Sequence, residues 1–211
     1  MNRRINHWIL IALAVAVAAP SAEAFKRSKT SGGVPLFWDD TDLPLAMILN
    51  NKGSADDKAG SLNACDDAAE AWNDVTNTSF EFQNLKRKST KKASDTQNSP
   101  DFKNVIVWRE SRFPDEFGSG VLAVTLSWFF TSNGEFVDAD IVVNGEDFTF
   151  STNLANNTFD VFTVILHEKG HVLGLDHVNK RSAVMYPFIE DGQRKQLSND
   201  EVKGVRAIYP P

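Results

Sequence analysis

Between residues 61 and 76, Leu62, Cys65, Ala68, Ala69 and Trp72 recur every three or four positions, which predicts an amphipathic helix. The runs at 104–108, 120–130 and 136–143 are apolar enough to predict strands buried in a sheet. Shorter strands are expected at 35–38, 45–49 and 79–85. Residues 25–33 are polar and predict a loose segment. Residues 86–100 are rich in Lys, Ser and Thr and predict a solvated loop. The basic cluster of that loop, Lys86, Arg87, Lys88, Lys91 and Lys92, could instead dock an acidic partner. The segment 159–166 is mostly apolar and fits either the first turns of a buried helix or a strand. At 197–209 a last helix is predicted, opened by the capping box Ser198-x-x-Glu201. No repeat is evident. Strands with a helix between them, then helices late in the chain, predict an α+β (α/β layered) domain.

The N-terminus changes the domain picture. Arg3 and Arg4 precede an apolar stretch from Trp8 to Ala19, and Ala22-Glu23-Ala24 has the A-x-A form of a cleavage site. Residues 1–24 are therefore expected to be a signal peptide; the apolar run is short for a membrane anchor. Cleavage would leave residues 25–211 as a single domain, secreted or periplasmic, with no stable membrane insertion and a monomer as the expected state. Loss of Arg3, Arg4 and Glu23 leaves 20 basic and 27 acidic residues, a net charge of −7. That balance argues against nucleic acid as a partner. The single cysteine, Cys65, can form no internal disulfide and falls within the predicted helix, where it reads as core or half-buried.

Histidine usage carries the chemistry. Apart from His7 in the signal segment, every histidine lies in His167-Glu168-Lys169-Gly170-His171-Val172-Leu173-Gly174-Leu175-Asp176-His177. His167 and His171 are four apart, so a helix presents both from one face. That spacing favours helix over strand for the preceding run. A helix continued to His177 would turn that ring away. Gly174 suits a left-handed helix stop, and a reversal there could return His177 to the other two. Three neutral imidazoles suit one Zn²⁺ with a fourth position left for water. Glu168 can reach such a water as general base. Asp176 either orients a ligand from behind or caps the turn. Met185, taken alone, reads as core filler.

The pattern H-E-x-x-H-x-x-G-x-x-H, with Met185 eight residues on and just before Tyr186-Pro187, resembles the metzincin metalloproteases. Within them the chain is similar to the matrixin branch, of a secreted bacterial type. The likeness is specific from about residue 118 to the end and looser over 34–110; residues 86–102 match nothing in the family. It implies a metzincin-like zinc protease fold: a twisted mixed sheet, an active-site helix and a C-terminal helix. It also implies protein or peptide substrates, Met185 as the Met-turn beneath the metal, and an edge strand at Leu122-Ala123-Val124-Thr125 above the cleft. The substrate pocket would lie between the active-site helix and the segment after Met185, with Leu122, Ala123, Pro187 and Ile189 as candidate walls.

Several positions depart from the family. Val178 stands where matrixins carry serine. Pro187 occupies the place of the metal-binding tyrosine of other metzincin branches, and Ile189 that of a matrixin pocket tyrosine. No histidine is left for a second, structural zinc. Cys65 lacks the motif of the propeptide cysteine that blocks zinc in matrixin proenzymes. Matrixins bind calcium near the strand at 136–143, where Asp138, Asp140, Asn144, Glu146 and Asp147 offer oxygen ligands. No calcium-loop motif is satisfied, and solvated strand and turn residues are the alternative reading. Two functions follow: a secreted zinc endopeptidase with Glu168 as its base, or a catalytically inactive zinc-stabilised extracellular binding module. An intact Glu168 favours the first, since a retired protease needs no base there.

Overall fold

The structure, a computed structural model, describes residues 5–6, 25–88, 99–118 and 120–211. The expected signal peptide therefore lies outside the described residues except for Ile5 and Asn6. In chain order the elements are β1 (Ile5–Asn6), β2 (Lys26–Arg27), β3 (Ile48–Asn50), α1 (Lys58–Asn73), β4 (Lys86–Lys88), β5 (Val105–Arg109), β6 (Ala123–Phe130), β7 (Phe136–Asn144), β8 (Phe150–Ser151), β9 (Phe159–Asp160), α2 (Val161–Val172), β10 (Leu175–Asp176) and α3 (Asn199–Ile208). The main sheet runs β6-β7-β5-β3-β4, with β1 beside β6. It is mixed: β6 is antiparallel to β7, and β5, β3 and β4 continue in parallel. Among the described residues β6 meets β1 only at Phe129 and Phe130, so Ala123 to Trp128 present an open outer edge.

Side-chain alternation explains why these strands read as continuous apolar runs. Ile106, Trp108, Ala139, Ile141 and Val143 point to the face that carries the helices. Val105, Val107, Val124, Leu126, Trp128 and Val142 point to the other, covered by Phe113 and Phe117. With both faces buried, both parities are mainly apolar, and the polar exceptions, Thr125, Asp138 and Asp140, are themselves buried. The odd positions of β6 face the helices, which aims Thr125 at α2. The helices α1 and α2 share the main core, where the Trp72 indole N–H donates to Leu166 O at 3.1 Å. Cys65 is buried there, and burial pushes its thiol up to about 12.

Several local expectations are corrected. The predicted helix at 61–76 starts three residues earlier, because Asp57 caps it by accepting from Gly60 N. The segment 25–33 is tied down: β2 pairs antiparallel with β10, and Ser28 N donates to Gly174 O at 2.8 Å. Residues 35–38 form no strand, only single bridges from Pro35 to Lys29 and from Phe37 to Glu135. The strand expected at 45–49 is displaced to β3, and residues 79–85 contribute one bridge, Leu45 to Phe82. The basic cluster is not all loop. Lys86–Lys88 form the exposed edge strand β4, and Arg87 is ion-paired with Asp66; Lys91 and Lys92 fall outside the described residues. Arg87 is therefore engaged within the chain.

Candidate metal centre and cleft

The buried helix α2 sets the first two histidines. Its N-cap Asp160 accepts from Thr163 N at 3.0 Å and from Thr163 Oγ1 at 2.6 Å. Arg194 grips the same carboxylate with Nε at 3.1 Å and Nη2 at 2.7 Å. A two-pronged guanidinium contact of this kind fixes orientation as well as charge. The helix stops at Val172, and Gly174 follows with φ +95°. A Cβ there would lie 2.9 Å from Leu36 O, so both backbone conformation and space require glycine. The chain then reverses into β10, whose pairing with β2 and the Lys26–Asp176 ion pair at 2.6 Å deliver His177 back to the helix. Asp176 Oδ1 accepts the His177 N–H at 2.7 Å.

The three Nε2 atoms converge. His167 lies 3.1 Å from His171 and 3.1 Å from His177, and His171 lies 3.2 Å from His177. Among the described residues this is the one group of three His, Cys, Asp or Glu side chains arranged to hold a metal ion. The nitrogens fit three corners of a tetrahedron with Zn–N bonds of about 2.0–2.1 Å, whose edge is about 3.3 Å. The outer nitrogens strengthen the fit. His167 Nδ1 is 2.7 Å from Val184 O and His171 Nδ1 is 2.8 Å from Leu175 O. A carbonyl accepts only, so both rings carry their proton at Nδ1 and turn bare Nε2 lone pairs toward each other. A cation between them relieves that repulsion. Burial, then the neighbouring imidazoles, lowers all three rings to about 3, which keeps them neutral as ligands must be.

Met185 packs against α2 at Gly170. It is buried, and a Cβ on Gly170 would come within 2.3 Å of its Sδ, so glycine in α2 lets the turn approach. Met185 O accepts from Val178 N at 3.0 Å, closing the loop after His177. Met185 N donates to Glu201 Oε1 at 3.0 Å. Glu201 Oε2 accepts from Ser198 N at 2.8 Å, so the capping box of α3 also anchors the Met185 turn.

Beside the imidazoles, Glu168 is buried against β6. Thr125 Oγ1 lies 2.6 Å from Glu168 Oε2 and 3.1 Å from Glu168 O. Burial raises the carboxyl to about 7, while the Thr125 hydrogen bond opposes that rise. A carboxyl titrating near neutrality can both take and return a proton. The next residue, Lys169, points the opposite way and is wholly buried. Its Nζ sits 4.1 Å from the centroid of Phe82 and 3.6 Å from Met47 Sδ, and burial lowers it to about 8.

The cleft over these groups has a cavity volume of about 150 Å³. Leu122, Ala123, Pro187 and Ile189 all line it, together with His167, Glu168, His171, His177, Val184 and Tyr186. Asp138, Asp140, Asn144, Glu146 and Asp147 form no comparable cage. Asp138 Oδ2 accepts from Asp101 N and Phe102 N, Asp140 Oδ1 from Val105 N, and Glu146 Oε2 from Phe113 N. Asn144 and Asp147 bond to each other. Thr125, Glu201 and Lys195, which also lines the cleft, were not singled out by the sequence as site residues. Thr125 lay in the expected edge strand and Glu201 in the capping box, but their partners are 43 and 16 residues away.

Comparison with known proteins agrees with this geometry. The profile of the matrixin family of peptidases matches residues 37–210. Metalloendoproteinase 2-MMP of Arabidopsis thaliana is 39% identical over 94 residues, which are 43% of this chain and 24% of that protein. Matrix metalloproteinase-20 of Homo sapiens is 43% identical over 70 residues, 32% of this chain and 14% of the relative. Interstitial collagenase of Equus caballus is 41% identical over 66 residues, 31% of this chain and 14% of the relative. The aligned part thus spans about a quarter or less of these relatives. The family profile, by contrast, covers most of this chain: it belongs to the matrixin family.

Proposed function

We propose that this chain is a secreted zinc-dependent endopeptidase. The observation that carries the reading is the trio of neutral Nε2 atoms beside a buried carboxylate in one cleft. His167, His171 and His177 would hold the zinc. When bound, zinc supplies Lewis-acid polarisation of a water and of a peptide carbonyl. Glu168 Oε takes the proton from that water and returns it to the departing amine, so the carboxyl begins and ends in one protonation state. Thr125 keeps Glu168 turned toward the cleft through its hydroxyl.

The open edge of β6 accepts an extended peptide by backbone pairing, as sheet edges do. The side chain after the scissile bond enters between α2 and the segment after Met185. Leu122, Ala123, Pro187 and Ile189 make that wall apolar, and each methylene buried there contributes about 0.8 kcal/mol. Residues 1–24 serve as the export signal, residues 25–211 as the catalytic domain, and the enzyme works as a monomer. Among the described residues no helix is long and apolar enough to cross a membrane.

Glu168→Gln tests the assignment. It keeps shape and burial, so zinc should stay bound, while turnover of peptides should fall roughly a hundredfold or more. Hydrolysis near the wild-type rate would remove Glu168 from the mechanism. Zinc bound without any hydrolysis by the unaltered chain would favour the inactive binding module.

A further inference from the structure

Lys195 is a buried cation that the proposed mechanism does not use. It is 7% exposed and lines the same cleft as the imidazoles. Its backbone N–H donates to Thr163 Oγ1 at 2.9 Å, one helical turn along α2 before His167, on whose ring its charge acts. From there Nζ donates to Ala183 O at 3.1 Å and to Phe188 O at 3.2 Å, and lies 5.1 Å from the centroid of Tyr186. Among the described residues no carboxylate forms an ion pair with it. An ammonium has three N–H donors, and the two carbonyls use two. The third remains for a guest in a pocket whose walls are otherwise mostly apolar.

We propose that Lys195 is a specificity-determining residue. Its ammonium closes the inner end of the pocket and selects substrates whose side chain after the scissile bond has an aliphatic stem ending in an oxygen acceptor. The apolar walls take the stem; the free N–H takes the oxygen. A cationic side chain meets a like charge there: the carboxylates on that side, Glu201 and Asp160, are already engaged by Met185 N and Ser198 N and by Arg194, so they do not offset the repulsion. This rests on the endopeptidase reading and adds the substrate class.

The test uses peptides identical except after the scissile bond, where they carry glutamine, methionine or lysine. Methionine matches glutamine in length without the oxygen. The wild type should cut the glutamine peptide best and the lysine peptide worst. Lys195→Met should lower the glutamine-to-methionine ratio of kcat/KM about tenfold, the scale of one hydrogen bond to a charged group. It should also relieve the exclusion of lysine, whereas Lys195→Arg should keep both preferences. Ratios on one enzyme cancel a general loss from weaker bracing of Ala183 and Phe188. Unchanged ratios in Lys195→Met, with peptides still cut, would overturn the proposal and leave the endopeptidase reading standing.

A second arm needs no turnover. Binding of the uncut peptides by fluorescence anisotropy is compared in zinc-loaded Glu168→Gln with and without Lys195→Arg and Lys195→Met. Tighter binding of glutamine over methionine that depends on the cation upholds Lys195 even if the wild type cuts nothing, in which case the endopeptidase reading alone falls. Equal binding of the two peptides in the Glu168→Gln form overturns the role of Lys195.

Discussion

The Thr125 hydroxyl donates to Glu168 Oε2 at 2.6 Å, joining the open edge strand to the carboxylate beside the three imidazoles. The same strand that would align a substrate therefore sets the state of the proposed base. This hydrogen bond favours the charged carboxylate, against the burial that raises it to about 7.

Thr125→Val should consequently raise the Glu168 pKa further. A base works only when deprotonated, so the acid limb of kcat/KM should move to higher pH. The loss should be about tenfold at pH 6 and smaller at pH 8, on the scale of one charge-assisted hydrogen bond. Thr125→Ser should restore the wild-type profile. Superimposable pH profiles for the valine variant and the wild type would show that the hydroxyl does not act on the base.

Glu201 accepts from both Met185 N and Ser198 N. In Glu201→Gln one of those amides would face an NH₂ group. The variant should lose about 1–3 kcal/mol of stability, the cost of a buried donor left unsatisfied. Because Val184 O holds the His167 ring, zinc should also be released to a competing chelator more readily. Thermal unfolding and chelator competition read the two effects. A loss of stability with unchanged zinc affinity would confine Glu201 to capping α3.

Gly174→Ala and Gly170→Ala separate two uses of glycine. Position 174 combines φ +95° with a backbone oxygen 2.9 Å from the added Cβ, whereas position 170 faces the flexible Met185 side chain. The first should cost more than about 1–2 kcal/mol, the left-handed penalty alone, and should weaken zinc binding by displacing His177. The second should be milder, as Met185 can shift. Denaturant unfolding of both variants checks the order; a costlier change at 170 would contradict it.

How much of this could be read from the chain depended on whether the partners were local. His167 and His171 share a helix face through their spacing, and Ser198 and Glu201 form their box within one turn. The reversal at Gly174 was also legible, because a left-handed stop is a property of that residue. The path of residues 25–38 was not: its order comes from Gly174 O and Glu135, which no local period announces. β4 reads as loop because an exposed edge tolerates Lys-Arg-Lys, and its partner Ile48–Asn50 is far back in the chain. Lys169 and Lys195 carry charges that suggest surface, yet both are buried, one over an aromatic ring and one on backbone carbonyls.

Asp138 gives a stability prediction with a defined sign. Its Oδ1 is buried with no hydrogen-bond partner, and burial raises the carboxyl to about 6 against the backbone hydrogen bonds that oppose it. The folded state thus holds its proton more tightly than an unfolded Asp near 3.8. The stabilising part is complete below about pH 4 and is lost as pH rises through about 6. Asp138→Asn keeps an acceptor for Asp101 N and Phe102 N and removes the charge. It should therefore raise Tm relative to wild type at pH 7, with the difference shrinking toward pH 4. A wild-type Tm at pH 7 that rises with added calcium, and an asparagine variant that does not respond, would instead assign the carboxylate to a cation.

If the three imidazoles hold a zinc that makes this chain an endopeptidase, zinc content and peptide cleavage rise and fall together. The most direct measurement follows hydrolysis of a diverse peptide library and zinc content in the same purified sample, before chelation, after it, and after zinc is restored. One zinc per chain, cleavage of internal peptide bonds, loss of both on chelation and recovery of both with zinc are the predicted results. Cleavage that persists in the zinc-free chain, or a zinc-loaded chain that cuts nothing in the library, would show that this chain is not a zinc endopeptidase.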